Sequence, residues 1–212
     1  MELRTMFRNL VRCVGIGLLA IAPLAQAVLY DEGVSGDLSG NRLTPTFLTA
    51  TIGSNEIVGS MNRQIDIEYF TLVVQPGQQL NSLLVEELQS ADLRSFIGVQ
   101  NGTQFTVTAS AAQPSDLLGY THFGVAEGNI GTDILDNLGA GFGATGFTGS
   151  LQAGSYTFWL QDVDGAAGYR LDFQVAAVPE PGEYAMMLAG LAVVASIGRR
   201  RRVQLGSQHP TA

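Results

Sequence analysis

Ile65-Asp66-Ile67-Glu68-Tyr69-Phe70-Thr71-Leu72-Val73 alternates in character with a period of two. Ile65, Ile67, Tyr69, Thr71 and Val73 share one face of an extended strand, opposite Asp66 and Glu68, as on a half-buried sheet surface. Other runs repeat the pattern. Phe105, Val107 and Ala109 stand opposite Thr106 and Thr108, and Tyr156, Phe158 and Leu160 stand opposite Thr157 and Gln161. Tyr169, Leu171, Phe173 and Val175 stand opposite Arg170, Asp172 and Gln174. One face in and one face out is what antiparallel sheets packed face to face require.

Gly53-Ser54-Asn55, Pro76-Gly77, Asn101-Gly102, Gly128-Asn129, Ala153-Gly154 and Asp164-Gly165 punctuate these runs as turn signals. Both residues of Asn101-Gly102 tolerate φ > 0, which predicts a two-residue type I′ hairpin. Leu83 to Asp92 is ambiguous between strand and a short helix, and the glycine-rich 128–149 stretch reads as a long loop or irregular strands. The predicted fold class is all-β, an antiparallel β-sandwich.

Working outward, 212 residues give room for one ordinary domain between two terminal segments. Arg4, Arg8 and Arg12 precede an apolar core, Val14 to Leu24, and the small-x-small site Ala25-Gln26-Ala27. That order predicts a secretory leader over 1–27, recognised by signal peptidase through Ala25 and Ala27 and cut so that Val28 becomes the new N-terminus. The β-domain is assigned to 28–177. The single cysteine, Cys13, falls in the leader, so the mature chain is expected to have no disulfide, thiolate nucleophile or cysteine metal site. Between Val28 and Val178 four arginines face sixteen acids, a formal balance of −12 that repels phosphate backbones and argues against a nucleic-acid partner.

At the other end, Val178-Pro179-Glu180-Pro181 leads into the uncharged run Tyr184 to Gly198, then Arg199-Arg200-Arg201-Arg202 and a tail, 203–212. The prolines fix φ and remove two donors, so neither helix nor ladder runs through them. The run 184–198 predicts a single transmembrane helix, roughly 22 Å long at about 1.5 Å per residue. That is short against a hydrocarbon core of about 30 Å, a mismatch met by snorkelling arginines and local thinning. The arginine block anchors this end on the cytoplasmic side.

The combined order, over 178–202, resembles the PEP-CTERM sorting signal of Gram-negative bacteria, which the intramembrane peptidase exosortase processes. The resemblance implies recognition of Val178, Pro179, Glu180, Pro181, Arg199, Arg200, Arg201 and Arg202, with transient residence in the inner membrane. It further implies delivery to the cell surface or extracellular matrix of an exopolysaccharide-producing, biofilm-forming bacterium, with extracellular polysaccharide as a partner. A second resemblance lies in the domain. Ile67-Glu68-Tyr69-Phe70-Thr71-Leu72 with Pro76-Gly77-Gln78-Gln79-Leu80 is similar to the opening of bacterial pre-peptidase C-terminal domains. Asp92 to Gly102 resembles the next strand and its turn, and Ala153 to Leu160 with Gly168-Tyr169-Arg170-Leu171 the closing hairpin. This implies a small jelly-roll-like accessory module with no chemistry of its own.

Candidate chemistry is sparse. His122 is the domain's single histidine and lacks a nucleophile-elbow context, which disfavours both a catalytic triad and a histidine zinc site. Asp66 and Glu68 are expected on a solvated strand face. Asp162-Val163-Asp164-Gly165 resembles the start of a calcium loop but has Ala166 and Phe173 where oxygen ligands belong. Asp162 and Asp164 are thus candidate metal ligands, with Asp133 and Asp136 as helpers, against the reading of a plain Asp-Gly turn. Trp159, on the polar face of its strand, and Tyr120 are candidates for stacking on sugar rings, with Tyr30 a third. The overall expectation is a non-enzymatic exported protein, or alternatively a carbohydrate- or calcium-dependent adhesion module.

Overall fold

A computed structural model describes residues 28–63, 65–91, 93–178 and 186–192. The strand that opens the sequence argument starts at Glu68 and does not stop at Pro76-Gly77; it runs to Ser90. In chain order the elements are β1 (Val28–Asp31), α1 (Glu32–Ser35), β2 (Thr46–Thr49), β3 (Glu56–Asn62) and β4 (Glu68–Ser90). β5 (Ser95–Asn101), β6 (Gly119–Phe123), α2 (Leu135–Gly139), β7 (Leu151–Asp162) and β8 (Ala166–Ala177) follow. All eight strands join one mixed sheet in the order β1-β3-β8-β4-β7-β5-β6, with β2 added on β4. The pairs β1–β3 and β2–β4 are parallel and the rest antiparallel.

β4 folds this sheet over. Residues 68–74 pair with β7 and residues 78–90 with β8, Gln79 and Leu80 being paired with both. Phe70 lies opposite Phe158 of β7, and Leu83 lies opposite Phe173 of β8. A straight strand would separate positions 70 and 83 by about 40 Å. Instead the rings of Phe70 and Phe173 meet at 5.7 Å, and Phe173 reaches Phe158 at 5.1 Å. The two halves of β4 therefore lie in two facing layers, with Ile57, Leu72, Leu80, Leu83, Val85, Ile97, Val99 and Leu171 filling the space between them. Pro76-Gly77 is the fold line rather than a hairpin. Opposite β7 the register jumps between Val74 and Gln79, and Gly77 takes φ +76°, which a side chain disfavours.

The second half of β4 is strand, not helix. Register shifts fall between Leu80 and Ser82 and between Val85 and Glu87. Each extra residue moves the buried position by three instead of two, so Leu80, Leu83, Val85 and Leu88 point inward and the period-two signal is broken.

Three other expectations are corrected. Asn101-Gly102 closes no hairpin: β5 ends there and the next strand, β6, starts at Gly119. Phe105, Val107 and Ala109 keep their alternation in burial on an irregular, turning segment laid across the outer face of β7, where Phe105 joins Tyr69, Leu117 and Trp159 in a second buried cluster. β7 and β8 form no hairpin either, since they flank β4 from opposite sides. Glu68 is not solvated. Both faces of 68–74 are covered, so Glu68, Phe70 and Leu72 are as fully buried as Thr71. The 128–149 stretch includes the short helix α2, whose Leu135 and Leu138 pack into the main core.

Candidate functional site

Trp159 and Tyr120 do not form a sugar platform. Trp159 is 5 % exposed and touches the rings of Phe96 at 4.6 Å and Phe105 at 5.6 Å. The covering segment is tied down. Arg42 donates through Nη1 to the carbonyls of Phe105 and Thr106, and Gln100 accepts from the Thr106 N–H while donating to the Asp116 carbonyl. Tyr120 is half-buried against Phe96, and its hydroxyl donates to the Phe142 carbonyl; that of Tyr30 donates to the Gly36 carbonyl. An open groove lined by Asn41, Arg42, Arg63, Ile65, Thr108 and Gln161 gathers none of the predicted site residues.

His122, on β6, lies edge-on to Phe96 at 5.7 Å, and the hydrogen bonds found at this residue run through its backbone carbonyl. Burial, and then the charge of Arg94, hold its imidazole below the ordinary 6.5, with Glu127 opposing. The unfolded chain therefore takes up the proton first, so this contribution to stability is complete above pH 6.5 and is lost as the pH falls below it. Replacing His122 by Phe should flatten the decline in denaturant midpoint between pH 7 and 5. An unchanged slope would show that the ring is not the group being titrated.

The predicted metal pair is split apart. Asp162 is fully buried and accepts from the hydroxyls of Ser90 at 3.0 Å and Ser95 at 2.8 Å, knitting the ends of β4, β5 and β7 together. Asp164 is 81 % exposed and faces Arg63 at 3.7 Å. Asp133 accepts from the N–H groups of Leu83 and Leu135, and Asp136 from that of Gly149. Asp133 and Asp136 thus serve backbone N–H groups, whereas Asp162 holds two serine hydroxyls and Asp164 faces an arginine.

The domain's concentrated polar site lies elsewhere, at one end of the fold. α1 follows directly on β1, with Asp31 capping it by accepting from Gly33 N–H at 2.8 Å. This turn carries Glu32 over β3, where its carboxylate accepts from Ser60 N–H at 2.7 Å and Leu38 N–H at 3.1 Å. Gly59 makes the approach feasible: a Cβ there would sit 2.5 Å from Glu32 Oε2 and 2.8 Å from the Tyr169 hydroxyl. Asp37, exposed, comes from the loop after α1, and Glu68 from the first residue of β4. Carboxylate oxygens of Glu32, Asp37 and Glu68 all lie within 4.8 Å of one another. At an effective dielectric of about 20, that spacing costs roughly 3 kcal/mol for each pair of like charges.

Two members of this site are orphaned. Glu68 is 0 % exposed, and among the described residues neither of its carboxylate oxygens meets a backbone, hydroxyl or amine donor, the side chain beside it being another acid, Asp66. Burial, reinforced by the charges of Glu32, Asp66 and Asp37, pushes its carboxyl up to about 10. The Tyr169 hydroxyl, on a residue 3 % exposed, is also unpartnered among the described residues, and burial next to the same acids raises its pKa so that it stays a phenol and a donor. The ion pairs Arg63–Asp164, Arg94–Glu127 and Arg170–Glu56 use other acids. Sequence reading missed the site because Glu32, Asp37 and Glu68 come from separate elements and the domain has sixteen acids. The one local signal was an acid set inside the apolar run Ile67 to Val74.

The C-terminal signal follows the domain without a spacer. β8 ends at Ala177, and Val178 N–H donates to the Gly77 carbonyl at 2.8 Å. Pro179, Glu180, Pro181 and Arg199–Arg202 lie outside the described residues, as do Ala25, Ala27 and 203–212. Within the predicted transmembrane segment, residues 186–192 are helical. Among the described residues no helix is long and apolar enough to cross a membrane. No curated protein and no solved structure is significantly similar to the chain. Residues 177–202 match the model of the PEP-CTERM protein-sorting motif, which implies export, surface sorting and processing by exosortase; the chain is a protein that carries a PEP-CTERM sorting motif directly behind its β-domain.

Proposed function

We propose that the chain is a non-enzymatic surface or extracellular-matrix protein of a Gram-negative, biofilm-forming bacterium, its β-domain being the cargo of the C-terminal signal. One observation carries this reading: the sorting motif begins at residue 177, the last residue of β8. The peptidase would then meet the Pro-Glu-Pro element at the rim of a folded domain. A Pro-x-Pro run is already extended, so docking it in a groove costs little chain entropy. Glu180 supplies one charge for a basic pocket, and the arginine block stops transfer so that the element stays on the outer side. Burial of Trp159 and the hydrogen-bonded placement of Tyr120 take away the support for a stacking lectin, and the edge-on packing of His122 against Phe96 offers no support for a hydrolase.

The test is the intact mass of the protein recovered from the surface and matrix fractions of its own host. The expected species lacks both the leader and everything after the Pro-Glu-Pro element. Recovery of a surface species still carrying Ala212 would refute processing, and recovery in the cytosol would refute export.

A further inference from the structure

We propose that Glu32, Asp37 and Glu68 form a binding site for a hard divalent cation, calcium in the exported protein, with the Tyr169 hydroxyl bracing it. The donor set is all oxygen, which suits calcium or magnesium and not the softer transition metals. Three separately placed carboxylates converge within 4.8 Å, a spacing that a shared cation tolerates and that mutual repulsion opposes.

The second observation is independent of that convergence. Tyr169 comes from β8 and is 3 % exposed, yet its hydroxyl has no partner among the described residues. It shares with Glu32 Oε2 the space that a Cβ on Gly59 would fill. A buried phenol there can donate to a carboxylate or to a cation-bound water. Glu68 completes the picture, because both of its oxygens are buried with only another acid, Asp66, beside them, which leaves them open to bidentate ligation. Glu32 is oriented by two backbone N–H groups, which fix a ligand carboxylate in place. Exposed Asp37 leaves the site an open side through which ion and water can enter.

Calcium fits better than magnesium, since it accepts irregular oxygen shells and mixed mono- and bidentate carboxylates, whereas magnesium holds out for a regular octahedron. The choice of calcium as the resident ion rests on the export reading, because extracellular calcium fills sites with dissociation constants of about 10⁻⁴–10⁻³ M. By linking α1 and β4, with Tyr169 of β8 bracing it, the ion would clamp the start of the β-domain to both layers.

The test uses the full chain purified in detergent, stripped with EDTA, and titrated with CaCl₂ or MgCl₂ while its thermal midpoint and binding heat are followed. At about 10 mM calcium, sites of this affinity raise the midpoint by about 3–10 °C. Magnesium should give a smaller rise. Glu68→Gln and Asp37→Asn should each abolish the calcium response, and Asp164→Asn should keep it. Asp37 is exposed, so its variant reports on the site even where Glu68→Gln perturbs folding. No response in the folded wild type, or a response that survives in Asp37→Asn and Glu68→Gln, overturns the site. So does a Glu68→Gln protein that is simply more stable while calcium does nothing, for Glu68 is then only a buried neutral acid. A correctly exported protein without a calcium response refutes the cation site and leaves the sorting reading standing. A calcium-binding protein found in the cytosol does the reverse.

Discussion

Changing Pro179, Glu180 and Pro181 together to alanine is expected to leave the chain uncut and held with the membrane fraction, with a loss of processed surface protein of tenfold or more. The prolines contribute by what they forbid. With φ fixed at two positions, the tetrapeptide is extended before it docks, and each Pro→Ala change restores chain freedom worth about 0.4–1 kcal/mol. Glu180 adds a charge-assisted contact of about 1.5–3 kcal/mol where a basic pocket receives it. Summed, these terms exceed the 1.4 kcal/mol that corresponds to a tenfold change in rate. Changing Arg199 to Arg202 to glutamine should fail in a different way. The stop-transfer charge is lost, the Pro-Glu-Pro element no longer comes to rest at the outer face, and uncut chain appears outside the inner membrane. Intact mass combined with fractionation separates the two outcomes. Equal surface yield and equal mass from both variants and the wild type would reduce the motif match to coincidence of sequence.

The all-β class was legible because alternation survives even where pairing does not. Tyr169, Leu171, Phe173 and Val175 are buried as their period predicts, and so are Tyr156, Phe158 and Leu160. What local pattern could not show was which strand lies beside which. Pro76-Gly77 looks like a turn between two strands but is a bend within one, since β7 lies opposite both Val74 and Gln79 on either side of it while β8 takes over from Gln78. Asn101-Gly102 looks like a hairpin because the residues after it alternate, yet that alternation reports contact with Trp159 and not a ladder. The acidic site was hidden for a related reason. Glu68 reads as solvent-facing only while the strand is assumed to have one wet face, and the structure covers both. The C-terminal signal suffered no such loss, because its meaning lies in contiguous order and not in tertiary contact.

That two-sided strand gives the second large effect. Phe158→Ala should destabilise the domain by about 3–5 kcal/mol, because the ring stacks on Phe70 at 5.2 Å and meets Phe173 across the layers, where neither layer can close the gap alone. Trp159→Ala, one residue on, should cost a similar amount through the opposite face, by emptying the space under Phe96 and Phe105. Trp159→Phe should be far milder, below about 1.5 kcal/mol, since the buried indole N–H has no partner among the described residues to lose. Denaturant melts of the three variants decide the point. A Trp159→Ala protein as stable as the wild type would mean that the 103–118 cover is loose and the indole reachable, reopening the sugar-stacking reading. The two rings share no aromatic partner, so pairing Phe158→Leu with Trp159→Phe should give costs that add within about 0.5 kcal/mol. A large coupling would mean instead that β7 shifts as a unit and transmits strain from the interlayer core to the outer cover.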